Sequence, residues 1–415
     1  MHIRYLFFCL FFLSFHFVFS QNETQIISLD KEAYERLFLE KNLNLIAKHL
    51  RVSQEQALLI QEKAWNNPTL SISDANLWTP SQEPSVQQFE IALETLIQTA
   101  GKRKHRIRMQ ELSEEIAVKE YETLLRQLKK EVRSKLAALV YYQEILPVYH
   151  HLYENITQML AIHKKQTEQR HFPKEEYLRL QTLVLELNKE IIDKEQEKQE
   201  LVSELLQYIQ MSPSHQLYIE PWIYTNVEKQ FLDLDLKDLT HFEKRPDIER
   251  LNLEKEYAET AIKLSRSLAY PDLSIEASYN RLDGMWKDYI GFGVEIELPI
   301  FNRNKGNIRF AEEEIKIQEA NRYQYQMQMQ HEMEKEYQRL KQLLQIRTDL
   351  DPDYQGGLKE MLDIYMADYK NRNINLLMFL DIQEAYLQGQ EMLLELEKEI
   401  IETWESLQYQ IGLEN

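Results

Sequence analysis

A chain of 415 residues, 43% hydrophobic and 28% charged, can bury a large core, and only 9 Gly and 11 Pro favour long helices over a loop-rich globule. The net charge of −19 argues against nucleic acid as a partner, because phosphate binding needs a basic face. Cys9 is the single cysteine, which excludes disulfides and thiolate metal sites from the rest of the chain.

The first twenty residues, MHIRYLFFCLFFLSFHFVFS, carry one Arg, an apolar run and Val18-Phe19-Ser20 before Gln21. They read as a secretory signal peptide (residues 1–20) removed after Ser20, with an uncleaved membrane anchor as the alternative. Beyond them no segment approaches the roughly 18 apolar residues of a membrane-spanning helix, so none is expected in the mature chain.

Residues 21–211 read as a first structural repeat: a helix, strands at about 69–78 and 86–97, a long helix over about 102–171 and a return helix over about 173–210. In the long helix Val118, Tyr121, Leu125, Leu128, Val132, Leu136 and Leu139 recur at intervals of three and four, a coiled-coil-like seam. Residues 212–243, with SPSH and EPW, have no counterpart elsewhere and read as a connector packed on the outside. Residues 244–415 form the second repeat: strands at about 272–281 and 288–300, a long helix over about 306–371 and a return helix over about 375–411. Pro147 and Pro352 fall at matching places, where each can kink or interrupt its long helix. The stretch DPDYQGG, residues 351–357, favours a break in the second.

The halves are related by duplication. Pro68, Leu70, Ser71 and Ile72 match Pro271, Leu273, Ser274 and Ile275, and Ile91, Leu93, Leu96 and Gly101 match Ile296, Leu298, Phe301 and Gly306. Further on, Tyr177, Leu178, Leu180 and Gln181 match Phe379, Leu380, Ile382 and Gln383, always at a spacing of about 200 residues.

The strands alternate. Leu273, Ile275, Ala277 and Tyr279 point one way and Ser274, Glu276, Ser278 and Asn280 the other; Ile290, Phe292, Val294 and Ile296 alternate with Gly291, Gly293 and Glu295. Strand 69–78 departs from this at Asp74 and Asn76. Strands of about 9–11 residues with one apolar face suit a tilted transmembrane barrel, and Trp78, Trp286, Tyr279 and Tyr289 at their ends suit an interfacial girdle. Four strands cannot close a barrel, so a membrane sheet would have to be shared among chains. The same alternation also fits a small sheet capping a soluble helical bundle.

NPTLSIS, YPDLSIEASY, KRPDIERL (244–251) and above all VEIELPIFNRNKGNIRFAEEE (294–314) resemble the TolC-like outer-membrane efflux family over nearly the whole mature chain, the last stretch looking most like its heavy-metal (CzcC/CusC-type) branch. In that stretch a strand runs through Pro299 into Asn302, Arg303, Asn304 and Gly306 before the long helix; the first-half turn, LIQTAG, ends on Gly101 and lacks the branch signature. The resemblance implies a mainly α fold with a small membrane β part: a homotrimer sharing a 12-stranded transmembrane β-barrel above a periplasmic α-helical barrel. It implies an exit duct in outer-membrane lipid that serves a periplasmic adaptor and an inner-membrane pump, plausible cargo being heavy-metal cations. A drug or type I secretion duct of the same family is the nearer alternative, and a soluble periplasmic coiled-coil scaffold the more distant one.

No phosphate loop, HExxH or G-x-S-x-G is present, so neither an enzyme nor a cofactor is expected. By alternation Glu90, Glu94, Glu276, Glu295 and Glu297 would face a lumen, where they either favour cations or solvate the pore. Met327, Met329, His331 and Met333 are soft ligand types, but they divide between two helix faces and read as packing, so no metal site is assigned. The matched turns carry Arg170, Phe172 and Pro173, and Arg372, Ile374 and Asn375. Their apolar members fit either an adaptor-docking tip or closure of the helix hairpin, and the arginines fit a charged gate.

Overall fold

The first two helices start on short polar caps. The computed structural model describes residues 26–76, 88–168, 173–221, 225–234, 244–281 and 288–412. Asp30 accepts a hydrogen bond from Ala33 N and starts α1 (Lys31–Lys41); the buried Asn42 accepts from Asn44 N and Leu45 N and starts α2 (Leu43–Lys63). A hairpin, β2 (Thr69–Asn76) and β3 (Gln88–Ile97), leads into α3 (Lys102–Glu168) and back through α4 (Lys174–Tyr208). The second half repeats the order with α6 (Pro246–Ser267), β5 (Leu273–Arg281), β6 (Tyr289–Ile296), α7 (Lys305–Asp349), α8 (Tyr354–Lys370) and α9 (Leu376–Ile411).

At 67 residues, α3 spans roughly 100 Å, longer than an ordinary domain is wide. The expected seam is its core face: Leu128, Val132, Leu136 and Leu139 are buried against Tyr34, Phe38, Leu205 and Leu206 of α1 and α4. A second core nearer the far end joins Ile145, Leu152 and Ile156 of α3 to Leu180 and Leu187 of α4, Leu362 of α8 and Phe379 of α9.

Two expectations are corrected and one is sharpened. Within the long helix expected over 306–371 the break favoured at DPDYQGG is present: α7 ends at Asp349, and α8 starts at Tyr354 after Asp351 accepts from Asp353 N and Tyr354 N. Residues 212–243 are not a mere outer connector. They supply β4 (Gln216–Ile219), which pairs in parallel with β1 (Ile26–Leu29), and α5 (Thr225–Leu232), whose Val227 is buried with Leu340, Leu344 and Trp404 of α7 and α9. The strand expected over 288–300 stops at Ile296, so Glu297 and Pro299 lie beyond the paired strand.

Pro147, by contrast, sits inside an unbroken α3. It cannot donate to the Gln143 carbonyl. The Gln143 side chain has turned to β4, donating to Ile219 O at 2.7 Å and accepting from Ile219 N at 2.9 Å, while Ile145, Leu146 and Tyr149 around the proline are buried.

Candidate functional site

The two hairpins join through β3 and β5 into one antiparallel sheet of order β2-β3-β5-β6. Register puts Ser71 opposite Ala92, Ala92 opposite Ser278 and Ser278 opposite Gly291, so one face is polar and small. Ala92 (5% exposed) and Ser278 (8%) are covered, whereas Ile72 (67%), Phe292 (83%) and Val294 (67%) on the other face lie open. Among the described residues no helix covers that apolar face. A sheet capping a soluble bundle would be the other way round, apolar in and polar out. The departure from alternation in β2 is a register shift between Ser73 and Asn76, which pairs Asn76 with Gln88.

The polar face gathers most of the expected lumen carboxylates. Glu94 stands opposite Glu276, Glu90 opposite Asn280 and beside the Ser73 hydroxyl (3.2 Å), and Glu295 opposite Ser274. Glu297, past the strand end, is not held by this register. Trp78 and Trp286 lie outside the described residues. Tyr279 donates to Asp288 Oδ1 at 2.5 Å, and Tyr289 pairs with Asn280 on the polar-face register.

Below the sheet the two strand-to-helix turns differ. Ala100 and Gly101 both have positive φ (54° and 74°), and the chain then enters α3. Lys102, nearly buried, ties that turn to the start of β5 by donating to Tyr270 O (2.7 Å) and pairing with Asp272 (2.8 Å). In the second turn the left-handed residue is Asn304 (φ 57°), held by Asn302 Oδ1 accepting from its N–H and by its own amide donating to Ser265 O at 2.8 Å. Gly306, the sequence match of Gly101, is already inside α7, and Arg303 is exposed.

At the far tip Arg170 and Phe172 lie outside the described residues, and Pro173 precedes α4. Between α8 and α9, Arg372 is left-handed (φ 61°): its N–H donates to Tyr369 O and that of Asn373 to Asp368 O, a Schellman closure without glycine. Asn375 caps α9 by accepting from Met378 N at 2.9 Å, and Ile374 packs on the tip core. Of the apolar residues that follow, Phe379 is fully buried and stacks on Tyr369, whereas Leu377 and Met378 are exposed, as is Leu178 on α4.

No protein-family model and no curated protein matches the sequence. Solved structures do. CusC, a transmembrane channel, aligns with a TM-score of 0.75 at 18% identity over 94% of this chain and 93% of its own. The outer membrane protein VceC from Vibrio cholerae gives 0.72 at 16% over 92% and 95%, and the outer membrane channel CmeC from Campylobacter jejuni 0.73 at 13% over 92% and 85%. The chain has the TolC-like outer-membrane channel fold. These neighbours are channel proteins, not enzymes.

Within this channel fold the strongest buried polar cluster is one that sequence reasoning missed. Arg245, just before Pro246 at the head of α6, donates through Nε to Asp247 Oδ1 (3.0 Å) and through Nη1 to Gln410 O (2.6 Å); Tyr325 donates to Asp247 Oδ2 at 2.6 Å. Both charged side chains are 1% exposed. Burial pushes the Asp247 carboxyl up, but the hydrogen bonds and charge of Arg245 outweigh it and hold it below its ordinary value. The signal was present in KRPDIERL, where an Arg and an Asp flank a helix-starting proline. A related cluster joins Arg133 of α3 to Glu35 of α1 (2.6 Å) and Glu405 of α9 (3.0 Å). Met329 is buried with Ile248 and Leu251, and Met333 packs beside Leu340.

Proposed function

We propose that the chain is one third of an outer-membrane exit duct, in which three copies share a twelve-stranded barrel above a tunnel of their long helices. One observation carries the reading: an antiparallel sheet whose apolar face is uncovered and whose outer strands, β2 and β6, are each unpaired on one edge among the described residues. In lipid such edges are untenable, at several kcal/mol per unsatisfied backbone group. Because the sheet has an even number of alternating strands, β6 of one copy meets β2 of the next antiparallel, and a head-to-tail ring closes.

Cargo would pass the polar face. Glu94 beside Glu276, repeated by symmetry, supports cation passage, and the stretch 294–314 supports heavy-metal cations as the cargo class. Energy would come from an inner-membrane pump reached through a periplasmic adaptor, with Leu377, Met378 and Leu178 as the exposed apolar contacts at the tip and Arg372 as the gate charge. Planar-bilayer conductance of the purified protein tests this. The proposal expects cation-selective steps, with selectivity reduced in Glu94→Gln/Glu276→Gln. Absence of any conductance, or anion selectivity in the unmodified protein, would overturn it. Conductance and metal tolerance both unaltered in Arg372→Glu would remove the gate from the account.

A further inference from the structure

Where the sheet meets the helices, the charge of this acidic chain reverses. Lys104 near the start of α3, Lys263 near the end of α6, and Arg303, Lys305 and Arg309 around the start of α7 are all exposed, and among the described residues none of them is in an ion pair. They share one level, because Asn304 is bonded to Ser265 at the end of α6 and Lys102 to Tyr270 and Asp272 at the start of β5. Nearby carboxylates are engaged: Asp272 by Lys102, Glu62 by Arg106 and Glu312 by Arg266. Glu295 and Glu297 at the end of β6 and Glu259 one turn before Lys263 are in no ion pair among the described residues, and the five cations outnumber them.

Lys104 and Lys305 do nothing for the helix starts that bear them. A helix start favours acidic side chains, yet neither α3 nor α7 has an acid in its first turn. At the same level Trp65, Tyr270, Leu298, Ile300, Phe301 and Phe310 are exposed, Phe301 completely. Exposed aromatic and aliphatic groups interleaved with unpaired cations, directly below an uncovered apolar sheet, match the chemistry of a lipid interface with anionic phosphates.

We propose that this junction is a collar that binds the phosphate headgroups of anionic phospholipids in the leaflet facing the helices. The cations take the phosphates, the aromatic groups sit at headgroup depth, and the collar fixes how deep the sheet is set. This rests on the reading that the sheet spans a membrane, and the test separates the two.

Purified full-length protein is mixed with vesicles of phosphatidylcholine alone, or of phosphatidylcholine with about 30% phosphatidylglycerol, and the inserted fraction is measured by flotation. Unmodified protein and the triple variant Lys104→Gln/Lys305→Gln/Arg309→Gln are expected to insert into phosphatidylcholine alike. Phosphatidylglycerol is expected to raise vesicle affinity of the unmodified protein about tenfold at low salt, a gain that fades as salt rises and that the triple variant lacks. Unmodified protein that inserts into phosphatidylcholine but gains nothing from phosphatidylglycerol, or a triple variant that keeps the gain, overturns the collar alone. Insertion into neither vesicle overturns the membrane reading and the collar with it.

Discussion

The two halves of the duplication reach the same fold with different chemistry at matched places, and the differences show which contacts decide. The helix before each hairpin starts on a buried residue: Asn42, a neutral cap, in the first half and Arg245, a buried charge paired with Asp247, in the second. Each strand-to-helix turn needs a left-handed residue. The first half takes it from Ala100 and Gly101, the second from Asn304, which leaves Gly306 without that task. Each long helix carries a proline, and only the second breaks. Buried neighbours and the Gln143–Ile219 pair keep α3 continuous through Pro147, whereas Pro352 lies in an exposed stretch with two aspartates and two glycines, where local preference prevails.

The largest contrast is at the helix starts. Arg245→Met should cost about 3–5 kcal/mol, because it strands a buried carboxylate, against about 1 kcal/mol for Asn42→Ala. Thermal unfolding of the detergent-solubilised protein checks both, and equal losses would contradict the distinction. Asp247 is held below its ordinary pKa, so its contribution should persist through neutral pH and be lost only as pH falls below the usual carboxylate range.

Next come the prolines. Pro147→Ala restores a donor to an otherwise continuous helix and should stabilise by up to about 3 kcal/mol. Pro352→Ala, where the ladder has already ended, should change stability by less than about 0.5 kcal/mol. Smaller again are the glycines. Gly101→Ala forces a side chain into positive φ at about 1 kcal/mol, while an added Cβ at Gly306 meets nothing, so Gly306→Ala should stabilise by about 0.5–1 kcal/mol. Opposite signs in chemical denaturation are the expected result.

The smallest effect concerns α9. Burial pushes the Glu397 carboxyl up; Arg347 partly offsets this and Glu144 adds to it. A carboxyl raised in the folded state costs stability once pH passes its unfolded value of about 4. Glu397→Gln should therefore raise the melting temperature slightly at pH 7, and the gain should vanish as pH falls through the carboxylate range. A gain that persists in acid would reject that cause.

Much of this organisation was legible in the chain. Alternation in Leu273–Tyr279 and Ile290–Ile296 marked the strands and their apolar face, and the seam from Tyr121 to Leu139 marked the core of α3. What was hidden depends on partners far away in sequence. Ile26–Leu29 and Gln216–Ile219 are too short to announce a sheet and acquire one only by pairing with each other. The departure from alternation at Asp74 and Asn76 had no explanation in the strand itself, because a register shift is visible only against β3. At the tip the sequence left docking and hairpin closure open for the turn residues; Ile374 packs and Asn375 caps, and the exposed apolar residues are Leu377 and Met378 one turn on.

On the proposed reading this sheet is completed only by other copies of the chain in a membrane. Native mass of the detergent-extracted protein after outer-membrane fractionation tests it most directly. A trimer recovered from the outer-membrane fraction is the expected result. A monomer or dimer in the soluble periplasmic fraction would contradict it, and the uncovered apolar face of the sheet would need another partner.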